Sequence, residues 1–269
     1  MIYCNLRGGL ANIMFQIAAT YAIAKDNNTN FSFPNFNNHL DYLNNDNTYN
    51  PSLKTSHNYK LLFDEKIYSN INPLPRPPYK IERFPFHYKK PENNESVLID
   101  GFFQSEKYFI HHKNDIINLF KGDNSLHETI ITKYGDSLSH KITSIHVRRG
   151  DYVNHPNHHP TQDLNYYNLA VELLDNDTDY FYIFSDDIDW CKENFKGGKY
   201  VFIEDNLDYI DLLIMGKCRN NIIANSSFSW WGAWLNCNSD KKVVAPKKWF
   251  GKAINHNTED LIPQSWIKI

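Results

Sequence analysis

Two arginines and an aspartate stand together at the end of a predicted strand, in residues 146–151 (HVRRGD). In an open parallel sheet, ligands bind beyond the carboxyl ends of the strands. Adjacent arginines there favour an anionic ligand, because planar guanidinium groups match phosphate oxygens. Successive side chains of an extended segment point to opposite sides, so one of Arg148 and Arg149 can face a ligand while the other pairs with a carboxylate. A surface arginine pair held by salt bridges stays an alternative.

A second anion-binding element is predicted where a later strand ends, at Asn225-Ser226-Ser227. A serine-rich turn before a helix supplies N-cap hydroxyls, and the free N–H groups of a helix N-terminus favour an anion. Three tryptophans follow on the same helix, and core packing is favoured for them over stacking on a ligand: Trp230, Trp231 and Trp234.

A third turn, residues 7–12 (RGGLAN), joins the first predicted strand to the first predicted helix. It lacks the GxGxxG pattern of dinucleotide-binding folds, so the sequence argues against NAD. A Gly-Gly pair is by itself a weak signal, since any tight turn uses glycine.

Two segments raise the question of a metal ion. Asp187-Ile188-Asp189 resembles the DxD of metal-dependent transferases, but acidic residues before a helix also cap it and complement its dipole. The loop with His155, His158 and His159 contains metal-ligand residue types, and a polar substrate-side loop is the favoured interpretation. We therefore expect no catalytic metal and no cofactor.

The elements that position these residues alternate between strand and helix. Apolar runs predict strands at 2–6, 97–102, 142–147, 180–184, 200–203, 221–224 and 242–245. Helical periodicity predicts helices from Ala11 and over 108–120, 126–134, 166–174, 189–195, 207–217 and 228–235. Residues 27–94 are rich in Asn and Pro and predict loops with short pieces of structure. The alternation predicts an α/β protein with parallel sheets in two lobes, 1–138 and 139–269.

The bulk composition excludes several classes of function. The chain has 269 residues and a formal charge of −3, which argues against a nucleic-acid-binding protein. Four scattered cysteines without CxxC spacing predict free thiols in a reducing compartment. No secretion signal or membrane-spanning run is visible, so we expect a cytoplasmic protein, for which peripheral contact with a membrane stays open.

Four segments in this order resemble the α-1,2-fucosyltransferases of glycosyltransferase family 11, most closely the soluble bacterial-type members. The segments are 8–16 (GGLANIMFQ), 146–151 (HVRRGD), 184–187 (FSDD) and 225–232 (NSSFSWWG). The arginine and Ser-Ser-x-Ser-Trp-Trp-Gly segments are specific, whereas the Gly-Gly turn is not. One departure is that Ala11-Asn12-Ile13 stands where the family usually has Gly-Asn-Gln.

This resemblance implies a GT-B-like fold of two Rossmann-like lobes, with residues 1–138 on the acceptor side and 139–269 binding a GDP-sugar. It implies GDP-fucose as donor, an oligosaccharide or glycoconjugate acceptor, and no metal. The donor-binding residues that it implies are Asn12, His146, Arg148, Arg149, Asp211, Asn225, Ser226 and Ser227. Among these, Arg148 is expected on the diphosphate and Asp211 on guanine.

The implied reaction inverts the anomeric carbon, because the fucosyl–phosphate bond of the donor is β and the product linkage is α. Arg148 and the helix N-terminus near Ser227 are expected to stabilise the charge that grows on the leaving GDP. Asp151 is the predicted catalytic base, and a role in positioning the backbone is equally open for it. Transfer from another GDP-sugar such as GDP-mannose, and carbohydrate binding without catalysis, stay as alternatives.

Overall fold

A computed structural model describes residues 1–45, 58–76, 79–92 and 96–269. The chain forms two compact units. The described part of the first unit consists of residues 1–45, 58–76, 79–92, 96–124 and 256–263, and the second unit consists of residues 125–255 and 264–269. The predicted boundary between residues 138 and 139 lies within the second unit, and the assignment of an acceptor lobe and a donor lobe stays a prediction.

The first unit contains a four-stranded parallel sheet with the strand order β2-β1-β4-β3. Its strands are β1 (Ile2–Cys4), β2 (Phe31–Ser32), β3 (Lys80–Arg83) and β4 (Val97–Asp100). Its helices are α1 (Leu10–Asp26), α2 (Phe36–Asn45), α3 (Glu65–Tyr68) and α4 (Lys113–Leu119), with 3-10 turns at Tyr59–Leu62, Glu106–Tyr108 and Ile110–His112.

The second unit contains a six-stranded parallel sheet with the strand order β10-β9-β8-β5-β6-β7. Its strands are β5 (Ile142–Val147), β6 (Tyr180–Ser185), β7 (Tyr200–Phe202), β8 (Asn220–Ile222), β9 (Val243–Ala245) and β10 (Ile267–Lys268). Its helices are α5 (Asn124–Tyr134), α6 (Leu164–Leu174), α7 (Ile188–Asn194), α8 (Asp208–Met215) and α9 (Ser227–Leu235), with 3-10 turns at Ser137–Ser139, Asp151–Asn154 and Asp175–Asp177.

The α/β class with parallel sheets is confirmed. Every residue of β5 is buried, as expected for a central strand of a parallel sheet with both faces covered. In the second unit the strand order reverses between β5 and β8, because β6 and β7 extend the sheet on one side and β8 returns to the other. In the first unit, β1 and β4 form the corresponding central pair.

Tertiary packing explains one difference from the predicted elements. The predicted helix over 108–120 is instead two 3-10 turns followed by α4. Phe109 lies between the turns with φ −144° and ψ −1°, outside the helical region. Its ring is fully buried against Phe15, at 6.2 Å between ring centroids. Burial of this ring therefore sets the backbone at the point where local propensity favours a continuous helix.

The predicted loop region 27–94 contains more structure than its composition indicated, although residues 46–57, 77–78 and 93–94 of this prediction lie outside the described residues. Helix α2 buries Phe36, Leu40 and Leu43, which lie on one helical face. The helix was not predicted because five asparagines between positions 35 and 45 give the segment the composition of a loop. Strand β3 was likewise not predicted.

Within the described part of the chain, no helix combines the length and the apolar character needed to cross a bilayer.

The close contact between α8 and α9 depends on Gly232. A Cβ atom at this position would lie 2.8 Å from the Cβ and 2.9 Å from the Sδ of Met215. We predict that Gly232→Ala lowers the free energy of unfolding by about 1 kcal/mol, because an overpacking cost of about 1–3 kcal/mol exceeds the helix-propensity gain. Urea titration measures the change. Gly198→Ala is the control, since a Cβ there meets nothing within 4 Å; equal stabilities of the two variants would contradict the packing argument.

Candidate functional site

The arginine segment and the serine-rich turn come together at the point where the strand order of the second sheet reverses. Residues 146 and 147 end β5 and residues 148–151 follow it, whereas residues 225–227 follow β8, the parallel neighbour of β5. The Tyr152 hydroxyl donates to the Asn225 carbonyl oxygen at 3.2 Å, and the rings of His146 and Phe228 lie 5.5 Å apart. Ligands of open α/β sheets bind at such switch points, beyond the carboxyl ends of the strands.

Arg148 is held between two carboxylates. Its Nη1 lies 2.9 Å from Oδ2 of Asp186, and its Nη2 pairs with Asp151. Only 13% of the Arg148 side chain is exposed, whereas 59% of the Asp151 side chain is. The guanidinium also lies 5.2 Å from the ring centroid of Tyr152. Asp186 is therefore the enclosed partner that orients Arg148, and Asp151 is the partner on the solvent side.

Arg149 is fixed by a separate set of contacts. Its Nε lies 2.8 Å from Oδ2 of Asp187, and its guanidinium lies 4.2 Å from the Trp190 ring centroid. Its backbone N–H donates to Oδ1 of Asp186 at 2.8 Å. Of the two possibilities open for the arginine pair, these contacts favour a bracing role for Arg149, and its donor-binding role stays a prediction.

Asp187 also caps helix α7, where its carboxylate accepts from the Trp190 N–H. Its oxygens therefore serve an N-cap and an ion pair. Asp189 is exposed. These contacts favour the capping interpretation of Asp187-Ile188-Asp189 over a metal-binding one.

Gly150 gives Asp186 the space that it needs. A Cβ atom on residue 150 would lie 2.5 Å from Oδ2 of Asp186, the oxygen that binds Arg148. A side chain at position 150 would therefore displace the Asp186 carboxylate from its place beside Arg148. Neither Gly150 nor Asp186 was among the predicted site residues, although Asp186 directly follows β6, the strand beside β5.

His146 is buried, and its Nδ1 is a buried polar atom without a hydrogen-bond partner. Burial, with a smaller contribution from the positive charge of Arg148, lowers the pKa of this imidazole to about 3. His146 is therefore neutral at physiological pH and cannot supply positive charge to a phosphate. A buried unpaired nitrogen is costly, so a ligand that binds Nδ1 would gain a hydrogen bond there.

Helix α9 begins with open N–H groups. Ser226 is its N-cap residue, with an extended backbone and no side-chain capping bond. The predicted hydroxyl cap is therefore absent at Ser226, and the first-turn N–H groups lack this side-chain acceptor. Such a helix end favours an anion. The anion-binding roles of Ser226 and Ser227 stay predictions.

Asn225 holds the surrounding loops together. Its Nδ2 donates to the carbonyl oxygens of Pro160 and Trp249, at 3.0 and 2.9 Å, and its Oδ1 accepts from Nε2 of Gln162 at 2.9 Å. These contacts give its side chain a positioning role beside the serine turn. The donor-binding role of Asn225 stays a prediction.

Asp211 lies in α8 within a polar cluster. Its Oδ1 accepts from Nδ2 of Asn206 at 2.8 Å, and Asn206 in turn contacts the Tyr134 hydroxyl and the Lys133 ammonium, each at 2.8 Å. Burial, opposed by the Asn206 hydrogen bond, raises the pKa of Asp211 to about 7. Nearby Asp208 also disfavours the charged form. The carboxyl group therefore changes protonation state near neutral pH.

In the first unit, Asn12 lies in the first turn of α1, and two glutamines hold this residue and the loop before it. Gln16 is fully buried and bonds the N–H and the carbonyl oxygen of Arg7, at 3.0 and 2.8 Å. Gln104 donates to Oδ1 of Asn12 at 2.8 Å, and Arg7 pairs with Asp100 at 2.9 Å. The turn follows β1 and Asp100 ends β4, so this polar group lies beyond the central strand pair of the first sheet. A donor-binding role for Asn12 stays a prediction.

The histidine loop is organised by ring contacts. The ring of His159 stacks on Tyr152 at 4.8 Å between centroids and lies 5.6 Å from Phe250. Burial is the main cause that lowers the pKa of His159. Because Tyr152 also contacts Arg148, this loop borders the arginine site rather than standing apart from it.

Together, the fold and the site define an α/β protein with parallel sheets and a polar, arginine-containing site at a topological switch point. The sequence profile described as glycosyl transferase family 11 matches residues 1–269. The chain therefore belongs to glycosyltransferase family 11, and the resemblance seen in the sequence motifs is confirmed at the level of the family.

Among similar proteins is an α-1,2-colitosyltransferase of Escherichia coli. It is 34% identical over an alignment of 297 residues, gaps included, which covers 100% of this chain and 99% of the relative. A galactoside 2-α-L-fucosyltransferase of Caenorhabditis elegans is 27% identical over 215 residues, 68% of this chain and 57% of the relative. The crystal structure of the Bradyrhizobium α-1,6-fucosyltransferase NodZ soaked with GDP-fucose matches with a TM-score of 0.53 and 12% identity, covering 87% of this chain and 92% of that one. This likeness confirms the GT-B-like fold class.

The pKa of Asp211 generates a prediction about stability. Its pKa in the folded protein, about 7, is above the ordinary value of 3.8, so the folded state binds more protons between these values. Its contribution to stability is therefore present at low pH and lost as the pH rises through 7. We predict that Asp211→Asn raises the melting temperature more at pH 8 than at pH 5. Thermal unfolding at both pH values tests this, and a pH-independent difference would show that the carboxyl group is not perturbed.

Proposed function

We propose that this chain is an inverting fucosyltransferase that moves L-fucose from GDP-fucose to a hydroxyl of an acceptor glycan, with the 2-hydroxyl of a galactoside as the favoured position. The observation that carries the proposal is that Asp186 fixes Arg148 just after β5, while the uncapped N-terminus of α9 follows β8, the strand beside β5. This arrangement suits a nucleotide diphosphate, whose charge grows as the glycosyl bond breaks.

In the proposed reaction, the acceptor oxygen attacks the anomeric carbon from the face opposite the phosphate. The bond from this carbon to the phosphate oxygen breaks, and GDP leaves with the electron pair. Arg148 and the N–H groups at the start of α9 stabilise the leaving diphosphate, because preorganised donors act most strongly where charge develops. Neutral His146 contributes a hydrogen bond rather than charge.

Asp151 is proposed to alternate between two partners. Without a donor it pairs with Nη2 of Arg148 from the solvent side. A diphosphate that takes its place on the guanidinium would release this carboxylate. The released carboxylate would then be a free base that accepts the proton of the acceptor hydroxyl, and this role is part of the proposal.

Asp211 is proposed to bind the base of the nucleotide. Guanine presents its N1–H and N2–H₂ donors side by side, and one carboxylate can accept from both. The Asn206 amide, which donates to Oδ1, would keep the carboxylate oriented for this contact. Binding of the two guanine donors favours the ionised form, so donor binding is coupled to loss of the proton from Asp211.

A second candidate donor is a colitose nucleotide, because a relative 34% identical along the whole chain is an α-1,2-colitosyltransferase. Colitose is fucose without its 3-hydroxyl group. A site that hydrogen-bonds this hydroxyl rejects the deoxy sugar by about 10⁴-fold or more, whereas an apolar pocket rejects an added hydroxyl by only about 10²-fold. The ratio of kcat/KM for the two donors therefore reports which sugar the pocket is built to bind.

We expect turnover with GDP-fucose, measured as GDP release, to exceed that with GDP-mannose, and linkage analysis of the product to find an α-1,2 bond. The assay is run with GDP-fucose, GDP-colitose and GDP-mannose on galactoside acceptors. Activity is expected to persist in EDTA, because the arginine and helix N-terminus supply the positive counter-charge.

Preference for GDP-colitose would shift the donor assignment but keep the reaction class. Glycan binding without GDP release from any donor would instead identify a carbohydrate-binding protein. Loss of activity in EDTA that Mn²⁺ restores would overturn the metal-free mechanism.

Arg148→Ala is expected to lower turnover by about 10²-fold or more while the protein stays folded, because a donor to the leaving group is lost. Arg148→Lys should also be impaired, since an ammonium group cannot reproduce the two-pronged contact. Single-turnover kinetics with saturating donor measures the effect on the chemical step.

The matched control is Arg219→Ala. Arg219 lies in the same unit and pairs with Asp177 at 3.0 Å, just before β8 and therefore at the opposite end of the strands. Its loss should leave turnover unchanged. If the two alanine variants lose activity equally, removal of any arginine ion pair explains the result and the role of Arg148 is wrong.

Asp211→Asn is expected to weaken GDP binding by about 1.5–3 kcal/mol at pH 8 and to reduce the preference for GDP over IDP, which lacks the N2 amino group. In the unchanged protein, the preference for GDP over IDP should grow from pH 6 to pH 8 as the Asp211 carboxyl group ionises. Calorimetric titration of both nucleotides measures it, and IDP controls for titration of the phosphates. A preference that is the same in both proteins would contradict the contact with guanine.

A further inference from the structure

We propose that Asp26, His111 and His112 form a binding site for a divalent transition-metal ion of the Zn²⁺ type, outside the candidate donor site. Asp26 is the last residue of α1, and both histidines lie in the 3-10 turn Ile110–His112. One ligand atom from each of the three residues lies within 4.8 Å of the others. All three residues belong to the first unit.

Both imidazole rings contact the Asp26 carboxylate, each through its own Nε2 atom. Nε2 of His111 lies 2.9 Å from Oδ2 of Asp26, and Nε2 of His112 lies 2.8 Å from Oδ1. Tetrahedral Zn²⁺ with bonds of about 2.0–2.1 Å separates its ligand atoms by about 3.4 Å. Oδ1 of Asp26 lies 2.8 Å from Nε2 of His112 and 3.1 Å from Nε2 of His111, so each nitrogen would move about half an ångström or less from this oxygen to reach the ligand spacing of Zn²⁺.

The donor set suits a metal of this class. Imidazole nitrogens favour Zn²⁺, Cu²⁺ or Ni²⁺ over Mg²⁺ and Ca²⁺, and one carboxylate with two histidines leaves a fourth position for water. The Asp26 and His111 side chains are 46% and 45% exposed, so solvent has access to that position.

A carboxylate also stands behind His112. Oδ2 of Asp115 lies 3.9 Å from the His112 Nδ1, on the side of the ring away from Asp26. This distance is that of an ion pair and not of a hydrogen bond, and metal-binding histidines typically direct their second nitrogen towards such a carboxylate. Lys25 holds Asp115 in this place through a 2.5 Å ion pair.

Electrostatics at the end of α1 favours a cation. The C-terminus of a helix carries partial negative charge, so the Asp26 carboxylate at this end is unfavourable unless positive charge lies beside it. A divalent ion beside this carboxylate would be stabilised by the carboxylate and by the helix end together.

The ligands lie on supported backbone. Phe109, two residues before His111, is fully buried, and the His112 N–H donates to the Phe109 carbonyl oxygen at 2.9 Å. At the other side, Asn27 closes α1 with its Nδ2 on the Ile23 carbonyl oxygen at 2.8 Å. A bound ion would therefore link the end of α1 to the segment that leads into α4, so we expect it to stabilise the first unit and to take no part in glycosyl transfer.

The test is calorimetric titration of ZnCl₂ into the full-length chain after metal has been removed with EDTA and the chelator exchanged away. One equivalent of Zn²⁺ should bind and raise the melting temperature, and His111→Ala/His112→Ala should abolish both effects. Asp115→Asn should weaken binding, because it removes a carboxylate charge that lies 3.9 Å from Nδ1 of His112. Asp26→Asn, which keeps an oxygen acceptor for both imidazoles, should weaken binding if the double variant fails to fold.

The matched control is His155→Ala/His158→Ala, which removes two histidines from the loop of the second unit. This variant should bind Zn²⁺ like the unchanged chain. The proposal is overturned if no saturable binding occurs, if the His111 and His112 double variant binds normally, or if removal of His155 and His158 abolishes binding. Transfer activity measured with and without Zn²⁺ tests separately whether the ion affects the proposed reaction.

Discussion

The reversal of strand order beside β5 is the constraint on which the site of the second unit depends. Because all strands are parallel, their carboxyl ends meet at one edge of the sheet. The end of β6 places Asp186 on one side of β5, and the end of β8 places Asn225 and the start of α9 on the other. Arg148 thus receives an orienting carboxylate from one neighbouring strand, and the N-terminus of α9 follows the other neighbouring strand.

The charges around Arg148 explain how two adjacent arginines are tolerated without a ligand. Each guanidinium pairs with its own aspartate, and Asp186 also accepts from the backbone between them. Breaking such a partly enclosed pair leaves a charge without a partner, which costs far more than the pair itself contributes. The exposed Asp151 is different, because water can solvate it when it leaves Arg148. An incoming anion therefore competes with Asp151 and not with Asp186, which makes ligand binding compatible with a fixed guanidinium.

Sequence patterns predicted most strands and helices of the second unit, but not the contacts between them. The parallel α/β class followed from the alternation of apolar runs with helical periodicity, and the arginine and serine segments followed from their position after strands. The role of Asp186 depends on which strand pairs with β5, and Gly150 matters only because Asp186 approaches it to within 2.5 Å of a Cβ position. The raised pKa of Asp211 and the lowered pKa of His146 depend on burial that no local pattern encodes. Helix α2 was missed for a different reason, since its asparagines outweighed a visible apolar face.

The burial of His146 and Asp211 makes their binding properties different from those of Arg148. In the proposed function, the charged guanidinium of Arg148 would bind the diphosphate of any nucleotide sugar and give affinity without selecting a base or a sugar. Neutral His146 and the partly protonated Asp211 gain only from a ligand that offers the correct hydrogen-bond partner, because each loses solvation without one. Under the proposed function, selectivity between donors would therefore come from the buried polar groups rather than from the ion pairs. A change of donor could then leave the arginine segment intact and alter only polar groups that contact the base or the sugar.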